Sequence, residues 1–420
     1  MKNRWGGVVL GVALAAIGSA GSAQGGSAPG AALSSTVRPR TDYGLMATDV
    51  RLYCATVKWW GVSGAARYFV EVGLDEQFAT HLAGYEFRDV GLTLEHLIEG
   101  LMDETPYWIR ITAWDEVGLI WVSNVAGITT PAATDHDFDA DGRADLAVYQ
   151  PATGDWRFLS PRTGEQWTEN SPWIQLRPVP ADYDGDGVAD LAAYDPATGR
   201  WHVRRSTTGL IVTQAFGWSK TLPLPGDYDA DLRAEAAIFY PALARWSFLC
   251  TTAGGYHARW GWPGVKVIPV PADYDGDGAL DLAIYYPANG NWYIHESATG
   301  IARSPQRFGW NTTVPVPGDY DGNGKADVAL FNRANANWCL SRSHDGRGEI
   351  KQLGSAAMIP VPADYDGDGK TDLAAYHPAT GEWLVRMSSF PTQESYYQLG
   401  GAGHVPVLLL PTIHAWFGPN

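Results

Sequence analysis

Asp182-Tyr183-Asp184-Gly185-Asp186-Gly187-Val188-Ala189-Asp190-Leu191 is one of six versions of the same segment. The first Asp of each falls at 137, 182, 227, 273, 319 and 364, so the intervals are 45, 45, 46, 46 and 45 residues. An aromatic follows 12 residues after each (Tyr149, Tyr194, Phe239, Tyr285, Phe331, Tyr376), and a Trp 19 residues after (Trp156, Trp201, Trp246, Trp292, Trp338, Trp383). Three markers in step over six units define an internal repeat, and a repeat of this length points to stacked or radially arranged units.

Each unit has room for four short strands. A Pro-Val-Pro run precedes the Asp loop, an apolar run such as Leu146-Ala147-Val148-Tyr149 follows it, a Pro-Ala-Thr-Gly turn leads to the Trp strand, and a fourth ends near Phe-Gly-Trp. Both alternating faces of Leu146–Tyr149 are apolar, so each sheet needs cover on both sides. Six small sheets satisfy that need by closing into a ring, which predicts a β-propeller of six blades. The ends agree: the first unit has Thr129-Thr130-Pro131-Ala132 where the others have Pro-Val-Pro, and the C-terminus carries a surplus Val405-Pro406-Val407-Leu408-Leu409, with Leu410 where a further Asp would fall. The last strand is expected to complete the first blade, leaving no open edge.

Positions 1, 3, 5 and 9 of each loop carry a carboxylate or amide, and position 6 is Gly in five of six. Four oxygen side chains in nine residues suit a hard cation, and Ca2+ accepts 6 to 8 oxygens in flexible geometry. An EF-hand would need a bidentate Glu at position 12, but Val148, Ala193, Ile238, Ile284, Leu330 and Ala375 stand there. The competing reading, an Asp-rich turn without metal, would crowd like charges into one turn. The segment resembles the FG-GAP or VCBS repeats of integrin-type propellers and many secreted bacterial proteins, over roughly two-thirds of the chain. The expected metal ligands are Asp137, Asp139, Asp141 and Asp145; Asp182, Asp184, Asp186 and Asp190; Asp227, Asp229, Asp231 and Glu235; Asp273, Asp275, Asp277 and Asp281; Asp319, Asp321, Asn323 and Asp327; and Asp364, Asp366, Asp368 and Asp372. About five Ca2+ sites are expected. The third loop is expected to be weak or empty, because Leu232 stands where positive φ is wanted, at a cost on the order of 1 kcal/mol.

The chain has 420 residues, 45% of them hydrophobic and 18% charged, with 48 Gly and 27 Pro. That composition excludes disorder as the main state and disfavours long helices. A net charge of -16 disfavours nucleic acid and anionic membranes as partners. Half of the 46 acidic residues lie in the six loops, so the acidity belongs to the loops and not to the surface at large. Lys2 and Arg4 followed by a short apolar stretch to Ile17 read as a signal peptide over 1–23, too short to span a bilayer. Residues 24–39 read as a flexible linker, and no later apolar run approaches a membrane span. The protein is thus expected outside the cell, in the periplasm or at the cell surface, as a monomer. Cys54, Cys250 and Cys339 are too few and too scattered for a disulfide framework and read as small buried apolar residues.

Residues 40–131 show strand alternation, as in Tyr68–Val72 and Tyr107–Ile111. Leu101, Thr105, Tyr107, Ile109, Ile111, Ala113, Gly118 and Ser123 resemble the second half of a fibronectin type III domain, with Trp59 or Trp60 as the early core aromatic. That resemblance implies a β-sandwich spacer ahead of the propeller at 132–420. No Arg-Gly-Asp occurs, so the integrin-binding role of some relatives does not carry over.

The six periodic Trp residues are expected between blades. Trp218, Trp262 and Trp310 form a less regular set, suited either to edge packing or to a sugar-binding surface. The acidic residues of the loops are committed to metal, and no other carboxylate pair stands out for glycoside hydrolysis. No HExxH occurs and no GxSxG elbow appears beyond the leader. The sequence therefore reads as a non-catalytic binding or adhesion protein for an extracellular glycan or protein. An extracellular polysaccharide-acting hydrolase or lyase on a propeller scaffold is the alternative.

Overall fold

The computed structural model describes residues 45–50, 54–101, 105–129, 134–250 and 254–407. The expected signal peptide, the linker and Leu408–Leu410 lie outside the described residues. The chain divides into two compact units, Met1–Ala132 and Ala133–Asn420. Apart from one short 3-10 turn at Pro241–Leu243, every element among the described residues is a β-strand. None of the described helices is long and apolar enough to cross a membrane.

In the first unit, Met46–Val50, Cys54–Lys58 and Glu95–Glu99 form one antiparallel sheet. Arg88–Gly91, Arg67–Gly73, Pro106–Trp114, Leu119–Val122 and Ala126–Thr129 form the other. Alternate residues of both sheets meet in one core: Ala55, Val57 and Ile98 from the first, Val70, Val72, Tyr107, Ile109 and Ile111 from the second. Trp59 is buried there, while its neighbour Trp60 is 63% exposed. Glu71 is buried in this unit and ion-paired to Arg110.

The second unit consists of six four-stranded antiparallel sheets. The second sheet is representative: Arg177–Pro178, Leu191–Asp195, Arg200–Arg204 and Ile211–Ala215 pair in sequence order. The strand after each Asp loop is buried on both faces, as expected from its unbroken apolar run. In the first sheet, Val405–Pro406 pairs with Leu146–Gln150, and Val407 N donates to Ala147 O at 2.9 Å. The C-terminal strand thus supplies what the first repeat lacks.

Tyr at loop position 2 donates its hydroxyl to the residue that follows the strand before the loop: Tyr183 to Val179 O (2.6 Å), Tyr228 to Leu224 O (3.0 Å), Tyr274 to Val270 O (2.9 Å), Tyr320 to Val316 O (2.8 Å) and Tyr365 to Val361 O (2.7 Å). The first repeat alone has Phe138 there. It is also the repeat whose first strand comes from the far end of the chain.

The loops themselves are linked in a cycle. The N–H at position 8 donates to the position 1 carbonyl of the preceding loop: Ala189 to Asp137, Ala234 to Asp182, Leu280 to Asp227, Ala326 to Asp273 and Thr371 to Asp319, at 2.6–2.7 Å. Ala144 closes the cycle by donating to Asp364 O at 2.8 Å. This all-β array of small antiparallel sheets, joined last to first, is a propeller-like fold.

Candidate metal centres in the acidic loops

Each loop is built around its first Asp. In the second loop, Asp182 Oδ1 accepts Gly185 N (2.6 Å) and Asp186 N (3.2 Å), and Oδ2 accepts Gly187 N (2.6 Å). Two backbone reversals make this possible, with left-handed φ at position 4 and again at position 6. Gly185 and Gly187 sit at φ 77° and 79°. The same conformation is kept at non-glycine residues, by Ala140 (64°) in the first loop and by Ala230 (58°) and Leu232 (66°) in the third. Leu232 therefore does not change the loop's path; its side chain stands 74% exposed.

Position 9 ties the loop to its sheet. Asp190 is buried; its Oδ2 accepts Tyr183 N at 3.1 Å and its Oδ1 accepts Ser206 N at 2.6 Å. Ser206 and Thr207 lie in the turn between the last two strands of the same sheet, and their hydroxyls reach Asp186 Oδ2 (2.8 Å) and Asp184 Oδ2 (2.5 Å). Ser297, Ser343 and Ser388, each 24 residues after the first Asp, repeat the N–H bond to Asp281, Asp327 and Asp372 at 2.6 Å. Sequence reading missed this turn, although the Ser recurs in step with the Asp.

Carboxylate oxygens of Asp137, Asp139 and Asp145 come within 4.8 Å of one another, as do those of Asp182, Asp184 and Asp190, of Asp227, Asp229, Asp231 and Glu235, and of Asp273, Asp275 and Asp281. Positions 1, 3 and 9 are thus brought together in each of these loops. Position 5 is turned aside in the second and fourth: Asp186 bonds Val188 N and Ser206 Oγ, and Asp277 bonds Ala279 N and Ser297 Oγ. Asp319, Asp321, Asn323 and Asp327 keep the same frame, with Gly324 N on Asp319 and Tyr320 N on Asp327. In that loop Asn323 Nδ2 donates to Ser343 Oγ at 2.8 Å. Asp364, Asp366, Asp368 and Asp372 repeat it, with Gly369 N on Asp364 and Tyr365 N on Asp372.

These acidic clusters could hold metal ions, and the donor chemistry fits a hard cation. The Oδ1 atoms of Asp184, Asp275 and Asp321, all at position 3, are buried without a hydrogen-bond partner. A buried carboxylate oxygen with no donor is costly unless something positive faces it. Electrostatics carry the same message. Burial, reinforced by the neighbouring carboxylates, pushes Asp145 and Asp372 up to about 9, Glu235 to about 8 and Asp137 to about 7. Asp141, Asp182, Asp190 and Asp364 rise to about 6.

The first loop is the least satisfied. Pro161 occupies the place of the turn Ser and has no N–H, so Asp145 Oδ1 has no hydrogen-bond partner, nor has either carboxylate oxygen of the buried Asp141. Arg162 Nη1 lies 3.8 Å from Asp141 Oδ2.

The six periodic Trp residues are all buried, and five donate Nε1 to a backbone carbonyl in the same repeat. The second aromatic set splits. Trp218 is half-buried, edge-on to Tyr240 with Arg245 over its ring. Trp262 and Trp310 are 40% and 43% exposed, and Trp262 meets Tyr293 edge-on. Cys250 and Cys339 are buried as expected, whereas Cys54 is only half-buried; none forms a disulfide.

An FG-GAP-like repeat family matches residues 273–330 and 319–375, spanning the fourth, fifth and sixth loops. No curated protein matches. Among solved structures, the chain is similar to virginiamycin B lyase from Staphylococcus aureus at 8% identity and TM-score 0.39, over 64% of this chain and 89% of that one. It is similar to a chain of a nidogen/laminin complex at 11% identity and TM-score 0.38, over 63% and 98%. The FN5 domain of Drosophila Lar is similar at 23% identity and TM-score 0.18, over 21% of this chain and 91% of that domain. FG-GAP-like repeats on small antiparallel sheets support a β-propeller scaffold of the binding or adhesion type.

Proposed function

We propose that the protein is a secreted, non-catalytic binding or adhesion protein whose six sheets are the blades of one Ca2+-stabilised propeller, carried behind a fibronectin type III-like spacer. The observation that carries this reading is the repeated cluster of carboxylates with a buried, partnerless oxygen at position 3. Ca2+ would be held by the oxygens at positions 1, 3, 5 and 9, and when bound it neutralises charge that the fold otherwise buries at a cost. Asp186 and Asp277 would swing from their hydroxyl and N–H partners to join it. The third loop is the weakest Ca2+ site in this reading, because it keeps its path only by holding Leu232 at φ 66°, at a cost on the order of 1 kcal/mol. At a tenfold excess over Kd each site adds about 1.4 kcal/mol, so five together rival the whole stability of a domain.

The ligand would be an extracellular glycan or protein. Trp262 and Trp310 supply the exposed aromatic surface for it, an amphipathic kind of platform common at binding faces. A glycan array probed with the protein in Ca2+ and in EGTA tests the reading. Calcium-dependent retention without soluble product is expected, reduced by Trp262→Ala or Trp310→Ala. Release of soluble saccharide would overturn it in favour of a hydrolase or lyase.

A further inference from the structure

The third loop departs from the other five in its surroundings as well as its sequence. Cys250, at the end of the strand Arg245–Cys250, is 6% exposed. Its Sγ lies within 4.8 Å of carboxylate oxygens of both Asp229 and Glu235, and those two also belong to the oxygen cluster with Asp227 and Asp231. Glu235 is fully buried; its Oε2 accepts Tyr228 N at 2.7 Å, while its Oε1 has no hydrogen-bond partner. The other five loops have Asp at position 9, so Glu235 reaches one methylene further. The residues corresponding to Cys250 are Ser160, Arg205, Glu296, Arg342 and Met387, so a thiol stands at one loop of six.

Calcium takes oxygen ligands, whereas a thiolate selects borderline and soft cations such as Zn2+. A sulfur and two carboxylate oxygens facing one point are three of the four donors of a tetrahedral zinc-type site. We propose that the third loop is a site for a thiophilic divalent cation of the Zn2+ class, held by Cys250 Sγ, Glu235 Oε1 and a carboxylate oxygen of Asp229. Asp227, Asp231 or water completes the set. On binding, Cys250 releases its thiol proton to solvent as the sulfur–metal bond forms. The proposal stands apart from the calcium reading of the other loops, whose donors are all oxygen.

Cadmium is the probe, because a thiolate bound to Cd2+ absorbs in the near ultraviolet and a carboxylate does not. The full chain, stripped of metal and then held in excess Ca2+, is titrated with Cd2+. One equivalent is expected to give the sulfur–cadmium band, and Zn2+ is expected to abolish it. The band is expected to persist in Cys54→Ser/Cys339→Ser and to vanish in Cys250→Ser. Glu235→Gln keeps the thiol and the loop's bulk, and is expected to weaken Cd2+ binding at least tenfold. Circular dichroism of each variant separates loss of the site from loss of the fold. No band, a band unchanged in Cys250→Ser, or ready displacement of Cd2+ by millimolar Ca2+ would overturn the proposal.

Discussion

At the scale of single residues, loop position 4 obeys a rule set by the neighbouring loop. A Cβ at Gly185 would lie 2.7 Å from Arg233 Cγ, at Gly276 3.0 Å from Lys325 Cγ, at Gly322 2.5 Å from Lys370 Cε, and at Gly367 3.0 Å from Arg143 Cγ. The two loops with Ala at position 4, at Ala140 and Ala230, are followed by loops with Val188 and Ala279 at position 7. Gly thus appears where a long cationic stem crosses it, and Ala where a short apolar residue follows. Gly322→Ala is therefore expected to cost about 1 kcal/mol or more, from φ strain and the clash together. The cost should shrink in a Lys370→Ala background, read from urea midpoints as a double-mutant cycle; equal cost in both backgrounds would refute the rule. At position 9 of the first loop, Asp145→Asn removes a buried, incompletely bonded carboxylate. It is expected to raise the melting temperature in EGTA at pH 8 while reducing the gain on adding Ca2+.

At the scale of elements, the Tyr hydroxyl at position 2 pins five of the six loops to the residue that ends the run before it. Tyr365→Phe should cost about 1 kcal/mol, since it leaves Val361 O without its buried donor; a change under a few tenths would show that the pin is idle. The loops also set a pH dependence. Burial raises Asp137, Asp145, Asp182 and Asp372 in the metal-free fold, so at these positions the folded state holds protons that the unfolded chain has released. Stability without metal is then fully present below about pH 4. It falls as pH rises through the folded values of about 6 to 9. In EGTA the urea midpoint should be higher at pH 5 than at pH 8, and added Ca2+ should matter more at pH 8. The reverse order would mean that the loops do not bury their charge.

Much of this element scale was legible in the sequence, because the Asp, aromatic and Trp markers repeat in step and each has one physical meaning. Other features needed the third dimension. Position 4 answers to a residue roughly fifty positions later, on another loop. The turn Ser is periodic, but nothing in its type says that it covers the loop carboxylates. Trp59 and Trp60 could not be told apart, since both follow the strand Cys54–Lys58 and only the bond from Trp59 N to Leu94 O (3.0 Å), made in three dimensions, carries Trp59 on into the core. The role of Cys250 was hidden because a lone thiol in an apolar strand reads as packing.

At the scale of the whole molecule, several contacts fasten the second unit last to first. Val405–Pro406 pairs into the first sheet, Ala144 N bonds Asp364 O, and Gly367 lies under Arg143. Truncation before Val405 should expose the edge at Leu146–Gln150, seen as early proteolysis of the first repeat. A protease pattern identical to that of the full chain would contradict closure.

Whether cations in the acidic loops hold the second unit together is read from calorimetry of the purified protein at pH 7.5 in millimolar Ca2+ and in EGTA, with Mg2+ as the control. The melting temperature is expected to be markedly lower in EGTA, restored by Ca2+ and little changed by Mg2+. An unchanged melt in EGTA would contradict it.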